Sequence, residues 1–247
     1  MAEYQANVGD DPLTTLDIFE DFVSGITTSG QIGSLGWGFS GGTYSAILAP
    51  AGHPGTVRGD TSATINTLAY LRLLIGTAVH PLLASESFDL TWVFRLNVND
   101  ANTRVRLGFS SDATIDAPVS AIYLEKQGAD TSWFGTCRNA STESRTAALA
   151  AVDTGWHKIR IRRIDSATVG FTLDTLAEVT LATNVPAGVG VHPFRQITNL
   201  EAASKTIDLD FMRLRIHRIG PLDAWDLHEG ESTVCRTGRD QRHARKQ

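Results

Sequence analysis

Short runs in which apolar and polar residues alternate make up most of this chain. In the clearest run, 88–97, every second residue is large and apolar: Phe88, Leu90, Trp92, Phe94 and Leu96. Since successive side chains of a strand point to opposite faces, the run predicts a strand with one buried face. Each buried side chain would contribute roughly 1.5–3 kcal/mol, so we expect this strand to be central in its sheet.

Further strands are predicted by the same two-residue period at 104–110, 158–162, 169–174 and 206–216. In the last run one apolar phase, Ile207, Leu209 and Phe211, changes to another, Met212, Leu214 and Ile216, which predicts a β-bulge near Phe211. Turn residues separate the runs, and no long amphipathic helix is indicated. The pattern is typical of an all-β sandwich of two antiparallel sheets.

The length of 247 residues fits one large β-domain with tails better than two domains. We predict an N-terminal arm at 1–15, the sandwich at 16–219 and a C-terminal tail at 220–247. The tail is acidic first and basic afterwards, and its arginines recur every three residues: Arg236, Arg239, Arg242 and Arg245. With Trp225 as an anchor, these arginines are our candidates for contact with an assembly partner.

Composition narrows the classes of function. A net charge of -5 does not favour nucleic acid, and no apolar run is long enough for a membrane helix. The polar start, 1–11, does not resemble a secretory signal peptide. Cys137 and Cys235 lie far apart without clustered histidines, so we expect neither a disulfide framework nor a metal site, and no cofactor.

Two patterns point weakly to catalysis. Residues 38–42 match the G-x-S-x-G pattern around Ser40, but a strand follows where a nucleophile elbow needs a helix, so a turn between strands is the better interpretation. Asp208 and Asp210 share a strand face, yet the chain lacks the closely spaced carboxylate run of sandwich glycosidases, and either solvated outer positions or a metal-free polar patch is favoured. We therefore predict a protein that is not an enzyme.

Ligand-binding candidates are equally sparse. Lys158, Arg160 and Arg162, with the adjacent Arg163, form a basic strand face that suits phosphate, an acidic glycan or an acidic partner, although a solvated outer face is the simpler interpretation. The pairs at His53, His80 and His192, each followed by proline, predict loop corners and not metal ligands. Three tryptophans could either stack on sugar rings or lie in the core, and the core is favoured for all three: Trp37, Trp133 and Trp156.

Three stretches together resemble concanavalin A-like (laminin G or lectin-like) domains of tailed-phage virion proteins. They are 52–57 with the run ending at 73, then 153–161 with 169–174 and 181–186, and finally 205–214. The resemblance spans about 16–216 and implies a concanavalin A-like jelly roll. Asp174 and Thr175 stand where the resemblance implies a glycine-containing turn, and no lectin calcium or sugar site can be placed on particular residues.

The resemblance implies a structural role in the virion, as a capsid decoration protein on the particle surface. Its partners would be the major capsid protein or tail proteins, and we expect a homo-oligomer whose weak contacts are multiplied over many copies. The alternatives are a tail or fibre component and a glycan-binding adhesin module for host-surface polysaccharide. A glycan hydrolase that uses Asp208 and Asp210 is the third class.

Overall fold

The computed structural model describes residues 15–23, 26–27, 31–48, 50–73, 82–112 and 117–217, which form strands and no helix. The strands are β1 (Thr15–Glu20), β2 (Ile26–Thr27), β3 (Gln31–Ile32), β4 (Trp37–Ser40), β5 (Thr43–Ala46), β6 (Val57–Asp60), β7 (Leu68–Arg72), β8 (Leu82–Leu83), β9 (Ser87–Leu96), β10 (Thr103–Ser110), β11 (Ala121–Lys126), β12 (Ser132–Asn139), β13 (Thr142–Arg145), β14 (Ala150–Ala151), β15 (Trp156–Arg163), β16 (Val169–Leu173), β17 (Val179–Leu181), β18 (Gly190–Asn199) and β19 (Thr206–His217).

Two antiparallel sheets face each other, as the alternation predicts. Sheet A has the order β17-β16-β15-β9-β19-β6-β5, and β1 also pairs with β19. Sheet B has the order β13-β12-β11-β10-β18-β7-β4-β3-β2, with β14 and β8 paired to β12 and β18. The predicted two-sheet jelly-roll sandwich is confirmed. The arm and tail predicted at its ends lie outside the described residues, apart from Thr15.

The core fills the space between the sheets and is built from the apolar phase of each strand. In β9 the side chains of Phe88, Leu90, Trp92, Phe94 and Leu96 are all at most 1% exposed. This strand pairs with β15 on one side and β19 on the other, so its predicted central position is confirmed. Trp37 and Trp133 are fully buried in the same core, which leaves neither available as a sugar platform.

The phase change in β19 is a β-bulge, as predicted. Pairing with β9 shifts between Leu209 and Phe211, and Asp210 is the extra residue. Because Leu209 and Met212 are both buried in the core, the two residues between them, Asp210 and Phe211, share the outer side of sheet A. The sequence pattern was therefore wrong in grouping Phe211 with the inward-facing Ile207 and Leu209. The bulge also divides the strand between partners, since its first half pairs with β6 and its second half with β1.

The β16–β17 hairpin turns at Asp174 instead of at a glycine. Asp174 adopts a φ of 55°, in the left-handed region that aspartate tolerates better than most residues. Its carboxylate also accepts a 2.8 Å hydrogen bond from the Lys158 amide. These local bonds explain how the turn forms without the glycine that the resemblance implies.

Two sequence predictions are wrong in detail. Arg163 does not join the outer basic face, because it ends β15 on the inner side and is only 6% exposed. There it donates to backbone carbonyls of Ala84 and Pro186 at 2.7 and 2.9 Å. His192 and Pro193 form no loop corner, because they lie within β18 opposite Ser110 and Phe109 of β10. His53 does lie in a loop, and His80 is outside the described residues.

Candidate functional site: the outer face of sheet B

The side of sheet B that points away from the core carries a dense set of polar and aromatic side chains. They alternate along their strands with core residues, and we call them the outer face of sheet B: Tyr70, Arg72, Arg104, Arg106, Tyr123, Glu125, Phe134, Thr136, Arg138, Glu143, Arg145, His192, Phe194, Gln196 and Thr198. A sandwich needs only the inner face of each sheet for its core, so this set calls for a separate explanation.

The central row of this face runs across five strands at one register. Phe134, Glu125, Arg106, Gln196 and Tyr70 lie opposite one another in turn. Arg106 donates from Nε to Glu125 Oε1 at 2.7 Å, and both residues are buried. Burial alone would lower the pKa of Arg106, but Tyr123 and Glu125 outweigh it and raise that pKa. The arginine is therefore firmly cationic and fixed in position.

Arginine–aromatic pairs recur across the face. The Arg72 guanidinium carbon lies 5.5 Å from the Tyr70 ring centroid, and that of Arg106 lies 5.1 Å from the Tyr123 ring. A third pair joins Arg145 to Phe134 at 4.0 Å. Stacking on a ring holds a guanidinium plane while leaving its edge able to donate hydrogen bonds, which suits recognition of carboxylate or phosphate.

A small apolar cluster lies among these charges. Tyr123 and Phe194 meet edge to face with centroids 6.1 Å apart, and Ala121 and Tyr70 pack against them. Gly108 separates the two rings in the register, and a Cβ there would approach the Ile122 carbonyl oxygen to 2.1 Å. The face thus combines an apolar surface with cations a few ångströms away.

Charge and unused hydrogen-bonding capacity both favour an anionic ligand that carries hydroxyl groups. The face has five arginines and two glutamates, and Arg106, Arg138 and Arg145 each form an ion pair with a carboxylate, so the argument for an anionic ligand rests on Arg72 at the rim. Gln196 donates from Nε2 to Thr198 Oγ1 at 2.8 Å, whereas its buried Oε1 has no hydrogen-bond partner among the described residues. Tyr70, Arg72 and Arg138 are half-buried and surround the buried centre. A ligand would contact this half-buried rim.

Sheet A carries the basic residues that the sequence singled out, but acidic neighbours neutralise most of them. Arg162 donates to Glu178 from Nε and Nη2 at 2.6 and 2.8 Å. Arg160 forms a bidentate pair with Asp89, and Lys158 is exposed on the same outer face. The pairing supports the simpler interpretation of this face, a charged surface in contact with solvent.

Of the two structural interpretations of Asp208 and Asp210, solvated outer positions are wrong, because both side chains are buried among polar partners. Asp208 is fully buried and accepts from Arg58 Nε at 2.7 Å and Arg95 Nε at 2.9 Å. Burial raises its pKa, but hydrogen bonds from Arg58 and Arg95 outweigh burial and hold the pKa below its usual value. A carboxylate held ionised in this way is unsuited to the general acid role of glycoside hydrolysis. Asp210 bonds instead to His53 Nδ1 at 2.8 Å.

Trp156 differs from the buried tryptophans because it lies half-buried on the outer face of sheet A. The His53 ring stacks on it with centroids 4.0 Å apart, and the Arg95 guanidinium carbon is 5.0 Å from its centroid. The indole is therefore already stacked within the protein, which makes it a poorer sugar platform than Tyr70.

The remaining sequence motifs fold as structural elements. Ser40 ends β4, and a two-residue turn leads into β5, so the turn interpretation of G-x-S-x-G is confirmed. Among the residues that the structure describes, no group of three or more His, Cys, Asp or Glu side chains is placed to hold a metal ion, and no helix could span a membrane. The tail candidates, Trp225, Arg236, Arg239, Arg242 and Arg245, lie outside this part of the chain.

Sequence reasoning missed the outer face of sheet B. Its signal was present in β10 and β18, where Arg104, Arg106, Phe194 and Gln196 occupy the positions between core residues. No single strand carries the pattern, because its residues come from six strands, and β7, β18 and the run from β10 to β13 are distant from one another in sequence. Only the cross-strand register brings them together.

Solved structures share this fold. The protein of unknown function SO2946 from Shewanella oneidensis MR-1 aligns with a TM-score of 0.64 at 16% identity, over 83% of this chain and 88% of its own. The carbohydrate recognition domain of Emp47p gives 0.53 at 12% identity over 85% and 100%, and peanut lectin gives 0.54 at 8% over 83% and 99%. At these identities the likeness shows the fold alone, a lectin-like β-sandwich.

No curated protein sequence matches this chain significantly. A protein-family profile does match, over residues 52–213, from the loop before β6 into β19. The match covers well over half of the sequence. The chain therefore belongs to the family described as SO2946-like, C-terminal domain.

Proposed function

We propose that this chain is a non-enzymatic glycan-binding module that recognises an acidic polysaccharide through the outer face of sheet B. The observation that carries the proposal is the set of three arginine–aromatic pairs around one apolar cluster on that face. The lectin-like fold of the solved neighbours is consistent with this use, although it does not identify a ligand.

An acidic glycan fits both parts of the face. The apolar side of a sugar ring packs on an aromatic ring, which Tyr70 offers at the half-buried rim. The carboxylate of a uronic acid or the sulfate of a sulfated sugar accepts bidentate hydrogen bonds from a guanidinium, and Arg72 lies directly beside Tyr70. From β7 to β12 the face spans four strand intervals, roughly 19 Å, which accommodates an oligosaccharide laid across the strands.

The proposal of a binding module without catalysis rests on the state of the acidic groups. Glu125 is buried against Arg106, and Asp208 is held between Arg58 and Arg95. The pKa of Asp208 is held below its usual value, whereas an acid catalyst of glycoside hydrolysis requires a raised one. Prolonged incubation with a bound polysaccharide should release no reducing ends and no unsaturated products, and release of either would contradict this part of the proposal.

Affinity electrophoresis through gels that contain polygalacturonate, alginate, heparin or neutral dextran tests the ligand class. We expect at least one acidic polysaccharide to retard the protein, dextran to leave it unretarded, and added salt to weaken retardation. Losing a hydrogen bond to a charged group costs about 1.5–3 kcal/mol, so Arg72→Gln should weaken binding roughly 10-fold to 100-fold. Tyr70→Ala should weaken it as well.

Arg160→Gln is the matched control, because Arg160 is an exposed arginine on the opposite sheet. It should bind as the wild type does. Equal retardation of the wild type and Arg72→Gln, or no retardation by any acidic polysaccharide, would refute the assignment to sheet B. Tighter binding to a single-stranded oligonucleotide than to every glycan would refute the ligand class, since stacking and phosphate contacts would then explain the face.

The virion role stays a second proposal, as a capsid decoration protein or a tail or fibre component. It is supported by the sequence resemblance and by the pairing of Thr15 with His217, which brings the two flanking segments to the same corner of the sandwich. Attachment to a capsid or tail protein through those segments would leave the sandwich on the outside of the particle. Mass spectrometry of purified particles of the encoding phage tests this role, and absence of the chain from intact particles would contradict it.

A further inference from the structure

Arg195 is a charged residue inside the sandwich. It lies on β18 between Phe194 and Gln196, which face outward, and it pairs in register with the core residues Leu71 and Leu107. Its side chain is 0% exposed. Burial lowers the pKa of Arg195, and the nearby Tyr44, Asp60 and Asp208 act in the opposite direction without forming a hydrogen bond to it. A guanidinium remains protonated at neutral pH in proteins. A positive charge therefore lies in the core.

The guanidinium of Arg195 reaches from sheet B to sheet A. Its central carbon lies 4.9 Å from the ring centroid of Tyr44 in β5. Gly59 of β6 makes room for it, because a Cβ at Gly59 would come within 2.1 Å of Nη2. Within the described part of the chain it forms one hydrogen bond, a long one of 3.4 Å from Nη1 to the Ala69 carbonyl oxygen.

The Nε and Nη2 atoms of Arg195 are both buried, and neither has a hydrogen-bond partner among the residues that the structure describes. These two atoms form the edge of a guanidinium that binds carboxylates. In this same protein that edge of Arg58 binds Asp208, and that of Arg213 binds Asp17 at 3.0 and 2.6 Å.

Two other buried basic side chains of this protein have several acceptors each. Arg163 donates to four backbone carbonyls, among them those of Ala84 and Pro186, and Lys126 donates to three. Arg195 differs from both in the number of its acceptors. The hydroxyl of Tyr44, in the same part of the core, is another buried group without a hydrogen-bond partner among the described residues.

A buried charge without a hydrogen-bond acceptor is strongly unfavourable. We therefore expect a negatively charged acceptor beside the Nε and Nη2 atoms of Arg195. We propose that Arg195 binds a small monovalent anion of halide size through Nε and Nη2, with the Tyr44 hydroxyl as a further donor. The anion neutralises the guanidinium and ties β18 to β5 across the core. This site is separate from the proposed glycan face, which lies on the other side of β18.

Anomalous diffraction from wild-type crystals grown in sodium bromide locates the anion directly. The expected result is a bromide peak within hydrogen-bonding distance of Arg195 Nε and Nη2. A well-ordered water in that place without anomalous signal, or side chains packed against both atoms, would overturn the proposal. Because the wild-type protein is used, this experiment does not depend on the folding of any variant.

Thermal unfolding in bromide and in gluconate at equal ionic strength provides the second test, since gluconate is too large for an interior site. The wild type should unfold at a higher temperature in bromide, with a shift that grows with bromide concentration. Arg195→Met should lose the difference and Tyr44→Phe should reduce it, whereas Arg160→Gln should retain it. An equal bromide effect in Arg195→Met would refute the site. Glycan retardation of the wild type is measured separately, so the two proposals can fail independently.

Discussion

Replacing Asp208 by asparagine removes the negative charge at the centre of an ionic cluster while keeping the size of the side chain. In the wild type the carboxylate accepts from Arg58 Nε and Nη2 at 2.7 and 3.0 Å and from Arg95 Nε at 2.9 Å. In the variant two guanidinium groups would face a neutral amide at close range. We therefore expect Asp208→Asn to fold and to be less stable.

The size of the loss follows from burial. Removing one partner of a buried ion pair costs about 3–5 kcal/mol. The side chains of Arg58 and Arg95 are 32% and 27% exposed, so water can partly solvate them, and we expect the lower end, about 3 kcal/mol. A domain of 150–250 residues loses about 2–4 °C in melting temperature per kcal/mol, which gives roughly 6–12 °C. Asp89→Asn is the matched control, because its partner Arg160 is 46% exposed and the cost should stay under about 1 kcal/mol.

The pH dependence separates charge from packing. A carboxyl group whose folded pKa is depressed contributes stability that is complete above its unfolded value and is lost as pH falls through the folded value. The pKa of Asp208 is lowered from 3.8, so the gap in melting temperature between wild type and Asp208→Asn should be constant from pH 7 to about pH 5 and shrink below pH 4. Thermal unfolding followed by circular dichroism measures the gap. A gap that does not change with pH would refute the electrostatic explanation.

Three further predictions test the interior. Lys126→Met removes the donor to three backbone carbonyls and should lower the free energy of unfolding by about 3–5 kcal/mol, measured by urea unfolding. A loss below about 1 kcal/mol would contradict the assigned hydrogen bonds. Gly135→Ala would place a Cβ 2.5 Å from the Phe171 ring, so we expect a loss of about 1–3 kcal/mol in the same assay, and unchanged stability would show that the ring can move. Burial raises the pKa of the Cys137 thiol to about 12, so in a Cys235→Ser background iodoacetamide at pH 8 should label it only after unfolding, and rapid native labelling would be inconsistent with this burial.

The strands were predictable because each is encoded locally. The two-residue period places the run at 88–97 within one residue of β9, and the phase change between Leu209 and Met212 locates the bulge. Periodicity fails where a polar residue points inward. In sequence Arg163 looks like one more basic residue of its polar strand face. It nevertheless lies inside, because backbone carbonyls from distant loops accept its hydrogen bonds.

The functional face was less predictable because it depends on register across the sheet. Asp208 looks like an outer carboxylate in sequence, and only the folded chain shows that Arg58 and Arg95 enclose it. In the same way Arg72 and Tyr70 lie close to Phe194 only because β7 pairs with β18. Sequence separation hides such contacts, whereas alternation along one strand does not.

The pairing of β1 with β19 determines how the sandwich would respond to a pulling force. Thr15 and His217 are partners at one end of that antiparallel ladder, so tension applied through the two flanking segments acts on a single pair first. The ladder would open from that end one residue pair after another, instead of breaking many hydrogen bonds at once by sliding. Mechanical extension should thus peel β1 away at low force, as far as Glu20 and Met212, before the core strands carry any load.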